Sequence, residues 1–273
     1  MRLDPGIFFG NRVRQCRAAG LSLVVSTYRA GQKLPPHVHE NPTFFLLIAG
    51  EHRERWRRQD HLQPELTLVF HPTNEPHEAQ VGPGGMIGLN IEFDKTWLAQ
   101  RALLESDLGS WQMLESVWWR LRSLRLLATA AGVGAPEATC FETQLLELLE
   151  PLVQWPASES TTARPDWLRR AEEMIHDEFR HTLRLCALAQ DIGVHPIHLA
   201  RVFRKYHHCS VSEYIRALRL AEAGQLILRR QCSLADAAFE AGFCDQAHLC
   251  RWFAREFGFT PKNLSSVRRF LQI

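Results

Sequence analysis

Long apolar runs are what this 273-residue chain most plainly lacks. The longest strictly apolar stretch, Phe44 to Ala49, has six residues, against the roughly 18 or more that span a bilayer. A secretory leader is not expected either, because MRLDPGIFFGNRVRQ is interrupted by Asp4, Pro5 and Arg12 before an apolar core builds. Cysteine pairs are missing as well. Seven cysteines stand singly, at 16, 140, 186, 209, 232, 244 and 250, with no CxxC. That argues against a disulfide framework and a thiolate zinc site, and for a reducing cytoplasm with no membrane partner. Charge of one sign is also absent, the net being +2.

What is present is an ordinary globular composition, 45% hydrophobic, 23% charged and 10% aromatic, which excludes a disordered or fibrous chain. The length fits two domains. Residues 166–273 hold 16 Lys+Arg against 12 Asp+Glu and residues 1–165 hold 16 against 18, so the second part is mildly basic and the first mildly acidic. The clearest break is Trp155 to Pro165, with two prolines, four Ser/Thr and no apolar period. It reads as a linker over 156–165.

Residues 1 to about 95 read as strands. Leu21–Tyr28, Thr43–Ile48, Leu66–Phe70 and Met86–Phe93 are β-rich runs separated by Pro35-Pro36, Asn41-Pro42, Pro72-Thr-Asn74 and Gly82-Pro-Gly-Gly85. That texture predicts an all-β barrel or sandwich. Residues 111–153 read as two helices, from Trp111, Leu114, Trp118, Leu121, Leu124 and Leu127, then Phe141, Leu145, Leu148, Leu149 and Leu152. They either cap the barrel or form a subunit interface, and their wealth of Trp and Leu favours the interface.

From Asp166 on, everything reads as helix, with breaks at Gly193-Val194, His207-Ser210, Arg229-Ser233 and Gly242-Cys244. A repeat lies within it. Leu185 to Val194 matches Leu234 to Phe243 at an offset of 49, and LARVF (199–203) matches LCRWF (249–253) at 50. One supersecondary unit is used twice. Its grammar is that of a helix-turn-helix: a small residue at the crossing (Ala189, Ala238), a glycine four residues on (Gly193, Gly242) and an apolar plug (Val194, Phe243). Asp245 caps the second unit's second helix, and Pro196 suits the first turn of its counterpart. With Leu199, Phe203, Leu249 and Phe253 inward, the outward faces hold Ile197, His198, Ala200 and Arg201, then Gln246, Ala247, His248, Cys250 and Arg251. Arginine reads guanine and glutamine reads adenine in a major groove. Arg204, Lys205, Arg255 and Lys262 flank them as phosphate contacts. Between the units, Val211 to Leu228 predicts a helix roughly 27 Å long, a spacer suited to successive major grooves about 34 Å apart.

Residues 166–270 resemble the C-terminal DNA-binding domain of the AraC/XylS family of bacterial regulators. LARVFRKY, SVSEYIRALRLAEAGQLI and GFCDQAHLCRWFAREFGFTP carry the resemblance, with Gly242, Phe243, Gln246, Phe253, Gly258 and Pro261 in place. It implies base contacts at the outward positions, double-stranded DNA and RNA polymerase as partners, a homodimer, and activation more often than repression. One departure is His208, where the first unit usually ends in glycine, at a cost of about 1 kcal/mol.

Residues 20–95 look like the two motifs of the cupin barrel, the usual sensor domain of that family. His37 and His39 are i and i+2 on a strand and so share a side, and His77 follows in the second motif. Three imidazoles suit Zn²⁺, Fe²⁺, Ni²⁺ or Mn²⁺. Metal-binding cupins place a glutamate after the histidine pair. Here Thr43 stands there, and Glu40 and Glu75 lie off the motif position. Two readings therefore stand, a metal site and a metal-free pocket for an organic effector, and the missing glutamate tips the balance to the second. Glu75 and Asn90, with Glu92, are candidates to face that cavity. His52 and His61, among charges, read as solvated. The expected protein is an α+β two-domain regulator: a cupin-like sensing and dimerising domain over 1–155 and an all-α DNA-binding domain over 166–273. The rival classes are a metal cupin enzyme fused to a DNA-binding domain, which the absent glutamate disfavours, and a constitutive DNA-binding protein with a barrel that only dimerises.

Overall fold

The computed structural model describes residues 1–18, 20–103, 105–133, 138–152, 164–229 and 232–271. The expected linker lies outside them apart from Arg164 and Pro165. The chain divides into two compact units, Met1–Pro156 with Ser266–Ile273, and Ala157–Ser265.

The first unit is a mixed sheet with helices. Its strands are β1 (Arg2–Leu3), β2 (Asn11–Ala18), β3 (Leu21–Tyr28), β4 (Lys33–His39), β5 (Thr43–Trp56), β6 (Gln59–Gln63), β7 (Leu68–His71), β8 (His77–Phe93) and β9 (Gln112–Leu114). The helices α1 (Lys95–Ala99), α2 (Val117–Ala130) and α3 (Ala138–Leu149) accompany them. An antiparallel ribbon of β5 and β8 forms the spine. On its far side β8 pairs β4 through His77–Gln80 and β3 through Met86–Phe93. The far side of β5 pairs β7 and then β6. β1 joins β4 in parallel, and β9 joins β7.

This sheet is not closed, which corrects the expected barrel. Its order runs β1-β4-β8-β5-β7-β9 and does not return on itself. The end strands, of two and three residues, are too short to carry a ladder further, and short edges also resist pairing with other chains. Curvature comes instead from a bulge. Gly50 pairs Met86 and His52 pairs Val81, so residues 82–85 are set against Glu51 alone. Gly50 has φ 104, and a Cβ there would stand 2.2 Å from Gly85 O, so only glycine fits. The core beneath holds Phe44, Phe70, Phe93, Leu46, Leu68 and Leu89, all fully buried. The stretch expected as helix from Trp111 begins instead as β9, because Leu68 and Leu114 pair across the sheet edge.

The second unit is helical: α4 (Asp166–Glu178), α5 (Leu185–Asp191), α6 (Pro196–His207), α7 (Val211–Arg229), α8 (Leu234–Glu240) and α9 (Gln246–Phe257); a last helix, α10 (Leu264–Leu271), groups with the first unit from Ser266 on. Leu188, Ala189, Leu199, Phe203, Ala238, Leu249 and Phe253 are fully buried, as the 3.6-residue period requires. Arg219 on α7 donates to Phe179 O (2.6 Å) and His181 O (2.7 Å). Carbonyls left over at the end of α4 thereby gain a cationic partner. Among the described residues no helix is long and apolar enough to cross a membrane.

Candidate functional site

The two helix pairs turn in the same way. After α5, Gly193 takes φ 74 and Val194 N–H donates to Ala189 O at 2.9 Å. After α8, Gly242 takes φ 83 and Phe243 N–H donates to Ala238 O at 2.8 Å. A left-handed residue followed by this long backbone bond ends a helix and turns the chain sharply into the next. His195 Nδ1 accepts from Ile197 N–H at the start of α6. Asp245 Oδ1 accepts from His248 N–H (2.6 Å) at the start of α9.

These turns set the outward faces. Arg201, Arg204 and Lys205 on α6 are exposed, and Ile197 is 73% exposed. On α9 Gln246, Ala247, Arg251 and Arg255 are exposed, as is Lys262 beyond it. Ala200 and Cys250 are half-buried. The two histidines at equivalent positions are also half-buried and already engaged. His198 packs on Trp167 and its Nδ1 accepts from Arg201 (3.2 Å). His248 Nε2 accepts from Trp252 Nε1–H (2.9 Å), with the ring edge-on to Phe243. Arg255 and Arg216 both lie over the Trp252 ring.

A different cluster is buried in the sheet unit. His37 and His77 are register partners across β4 and β8, with ring centroids 4.2 Å apart. His39 lies 5.1 Å from His77, and His71, at the end of β7, stacks on His77 at 4.1 Å. From β5 come His52 and Glu54, 3% and 1% exposed. With Tyr28, Phe45 and Asn90 these side chains line a cavity of about 30 Å³. A water needs roughly 10–15 Å³ by this measure, and organic ligands occupy pockets of about 300–1,000 Å³. The space suits one ion or a few waters.

The electrostatics follow from burial. It lowers the pKa of His37, His39, His52 and His77, and takes His71 down to about 3. A charged imidazole here would lose its hydration without replacement. Burial thus favours the neutral form of all five rings. Burial also pushes the Tyr28 hydroxyl up to about 12.

Of the residues expected at this cavity, His37, His39, His77 and Asn90 line it. Glu75 points elsewhere, its carboxylate bound by Arg57 (3.1 Å) and by Trp111 N–H (3.2 Å). Glu92 is also turned away, accepting from Gly6 N–H and the Asn41 amide. His52, expected in solvent, is buried with Nδ1 2.8 Å from Gln63 Oε1. Sequence reasoning missed His52, Glu54 and His71. The signal was there in β5, where Glu51, Arg53 and Arg55 are exposed while His52 and Glu54 are buried. That alternation has the period of a strand.

Residues 188–266 match the helix-turn-helix domain family. An uncharacterised HTH-type transcriptional regulator of Escherichia coli K12, YpdC, is 30% identical over 242 residues, 82% of each chain. The HTH-type transcriptional activator RhaS of Salmonella typhimurium LT2 is 26% identical over 160 residues, 58% of each chain. Among solved structures, an AraC-type transcriptional regulator from Chromobacterium violaceum superposes with a TM-score of 0.35 at 25% identity, covering 38% of this chain and 91% of its own.

Proposed function

Because the chain belongs to the AraC-type family of helix-turn-helix transcriptional regulators, we propose that it reads double-stranded DNA with α6 and α9 under the control of an effector held among the buried histidines. The observation that carries the reading is the equivalence of the two exposed faces. Arg201 corresponds to Arg251 and Lys205 to Arg255, each 50 residues apart. Two faces of one chemistry suit two groove segments. Arg201, Arg251 and Gln246 make the base contacts, supported by Ile197, Ala200, Ala247 and Cys250 at the groove wall. Arg204, Lys205, Arg255 and Lys262 hold phosphates. His198 and His248 reach bases only by giving up their present partners.

In this reading residues 1–155 sense the effector and dimerise, 156–165 link, and 166–273 bind DNA. Effector binding shifts the population competent for DNA, and dimerisation adds avidity. The protein is an activator that engages RNA polymerase in the cytoplasm, and it catalyses no reaction. Selection of duplex DNA from a random pool by the full chain tests this. The expected product is one enriched site with two elements about a helical turn apart, bound less tightly as salt rises. Enrichment of no sequence, or affinity indifferent to salt, overturns it.

A further inference from the structure

Arg17, Ser22 and Glu92 form a single row across three strands. Arg17 on β2 opposes Ser22 on β3, and Ser22 opposes Glu92 on β8. Directly opposed residues show their side chains on one face of a sheet. The row therefore reads cation, hydroxyl, carboxylate, with its two charges two strand spacings apart, about 9–10 Å. They do not pair. Among the described residues Arg17 has no ion pair and Glu92 has no cationic partner. Glu92 is 6% exposed, and its oxygens accept from two neutral donors, Gly6 N–H (2.8 Å) and the Asn41 amide (3.0 Å). A buried carboxylate is ordinarily matched by a cation. Ser22 is 7% exposed, and its Oγ is buried with no hydrogen-bond partner. One unmatched charge and one unmet hydroxyl thus stand side by side.

A pocket of about 320 Å³ opens over this row. Pro5 and Gly6 form one wall of it, in a turn where Ile7 N–H donates to Asp4 O (3.0 Å) and Gly6 takes φ 74. Proline followed by a left-handed glycine is the signature of a type II turn, so local residues fix that wall. A Cβ on Gly6 would stand 2.1 Å from Arg17 Nη2, which places the guanidinium against the turn. Asp94 also lines the pocket. Its Oδ1 accepts from Thr96 N–H (2.6 Å), which leaves Oδ2 available. The pocket shares no lining residue with the histidine cavity. Its volume lies at the lower end of those that hold organic ligands, about 300–1,000 Å³.

We propose that this pocket binds a free α-amino acid, whose carboxylate bonds Arg17 and Ser22 and whose ammonium bonds Glu92 and Asp94. The charge pattern selects a zwitterion. An anion would face two carboxylates, and a diamine would leave Arg17 unused. A neutral sugar would satisfy the hydroxyl but leave the Glu92 charge unmatched. The order of charges along the row fixes the ligand's direction, carboxylate toward β2 and ammonium toward β8. Pro5 and Leu21 supply the apolar wall, so a short aliphatic side chain suits the space. This inference rests neither on the DNA-reading proposal nor on the effector role given to the histidines.

The test is calorimetric titration of the full chain, without DNA, with free glycine, L-alanine, L-serine, L-valine and L-leucine at millimolar concentration. Each is compared with its N-acetyl and its amide form. The expected result is saturable binding of at least one free amino acid at a single site, and none by either blocked form. Ser22→Ala weakens that binding about 10-fold and leaves the Tm of the free chain unchanged, because the hydroxyl has no partner to lose. Arg17→Gln weakens it by at least about 10-fold, again with the Tm unchanged, since the side chain is exposed and unpaired. Glu92→Gln abolishes it. Lys33→Gln, exposed and outside the pocket, leaves it unchanged. The bound amino acid also raises the Tm of the wild-type chain, a readout that does not depend on any variant folding. No binding of any of the five, equal binding of the blocked forms, or binding indifferent to Arg17→Gln and Ser22→Ala overturns the proposal. So does putrescine binding as tightly as the amino acid.

Discussion

The two helix pairs follow one plan, yet they are secured differently. In the second pair every junction has its own local fastening. Ser233 and Asp236 cap α8 reciprocally, Asp245 caps α9, and Gly258 ends it in the left-handed conformation at φ 77. A Cβ on Gly242 would meet Arg180 O at 2.3 Å, so that turn is pressed against the chain end of α4. The first pair has weaker fastenings. Arg184 makes no side-chain cap for α5, a histidine ring caps α6, and α6 ends on His208 at φ 56. A Cβ on Gly193 would meet nothing within 4 Å. Both pairs bury the same two core positions, Leu199 and Phe203 in the first and Leu249 and Phe253 in the second, so the difference lies in the local fastenings alone. The same supersecondary unit tolerates different degrees of local capping.

Glycine substitution breaks this comparison most sharply. Gly242→Ala combines the left-handed penalty of about 1–2 kcal/mol with overpacking against rigid backbone, about 1–3 kcal/mol more. A loss of roughly 2–5 kcal/mol follows in the urea unfolding of the helical unit. Gly193→Ala incurs only the first of these, about 1–2 kcal/mol. Equal losses would show that the close approach to Arg180 does not matter. The DNA faces give the next effect. Arg251→Ala costs about 1–3 kcal/mol of specific affinity and relaxes one base position. Arg201→Ala costs less, because Arg201 already donates to His198. Fluorescence anisotropy on specific and random duplexes separates the cases. A uniform drop on both makes Arg251 a phosphate contact.

These fastenings also explain what the sequence made legible. Glycines, prolines and capping residues act locally, so the breaks at 193–194 and 242–244 fall between the observed helices, and those at 207–210 and 229–233 begin on the last residues of α6 and α7. The sheet unit depends on pairing between distant strands, and its local signals mislead. β5 runs on through the charged stretch to Trp56. Its hairpin into β6 turns on Arg57 and Arg58, both at positive φ, where Asn-Gly would have announced it. β8 continues through Gly82-Pro-Gly-Gly85, which reads as a turn. The histidines at 37, 39 and 77 carried a motif. Glu54, although it comes from a distant point of the chain, reaches them only through the register of β5 on β8, in which Glu54 opposes Ala79 and Trp56 opposes His77. No residue pattern within one segment encodes that meeting.

His208→Gly is the mildest test of the comparison and the one whose sign decides. His208 ends α6 with its N–H donating to Arg204 O (2.9 Å), in a conformation that costs a non-glycine residue about 1–2 kcal/mol. Glycine removes that strain but widens the unfolded ensemble, a loss of about 0.5–1 kcal/mol. The balance is a gain of roughly 0.5–1 kcal/mol, seen as a rise of a few degrees in the melting of the helical unit. The same change brings the end of the first pair's second helix to the state that Gly258 gives the second. If the melting temperature falls instead, the imidazole stabilises the exit by more than its backbone strain costs, and the weaker first pair has a fastening of its own where the second has glycine.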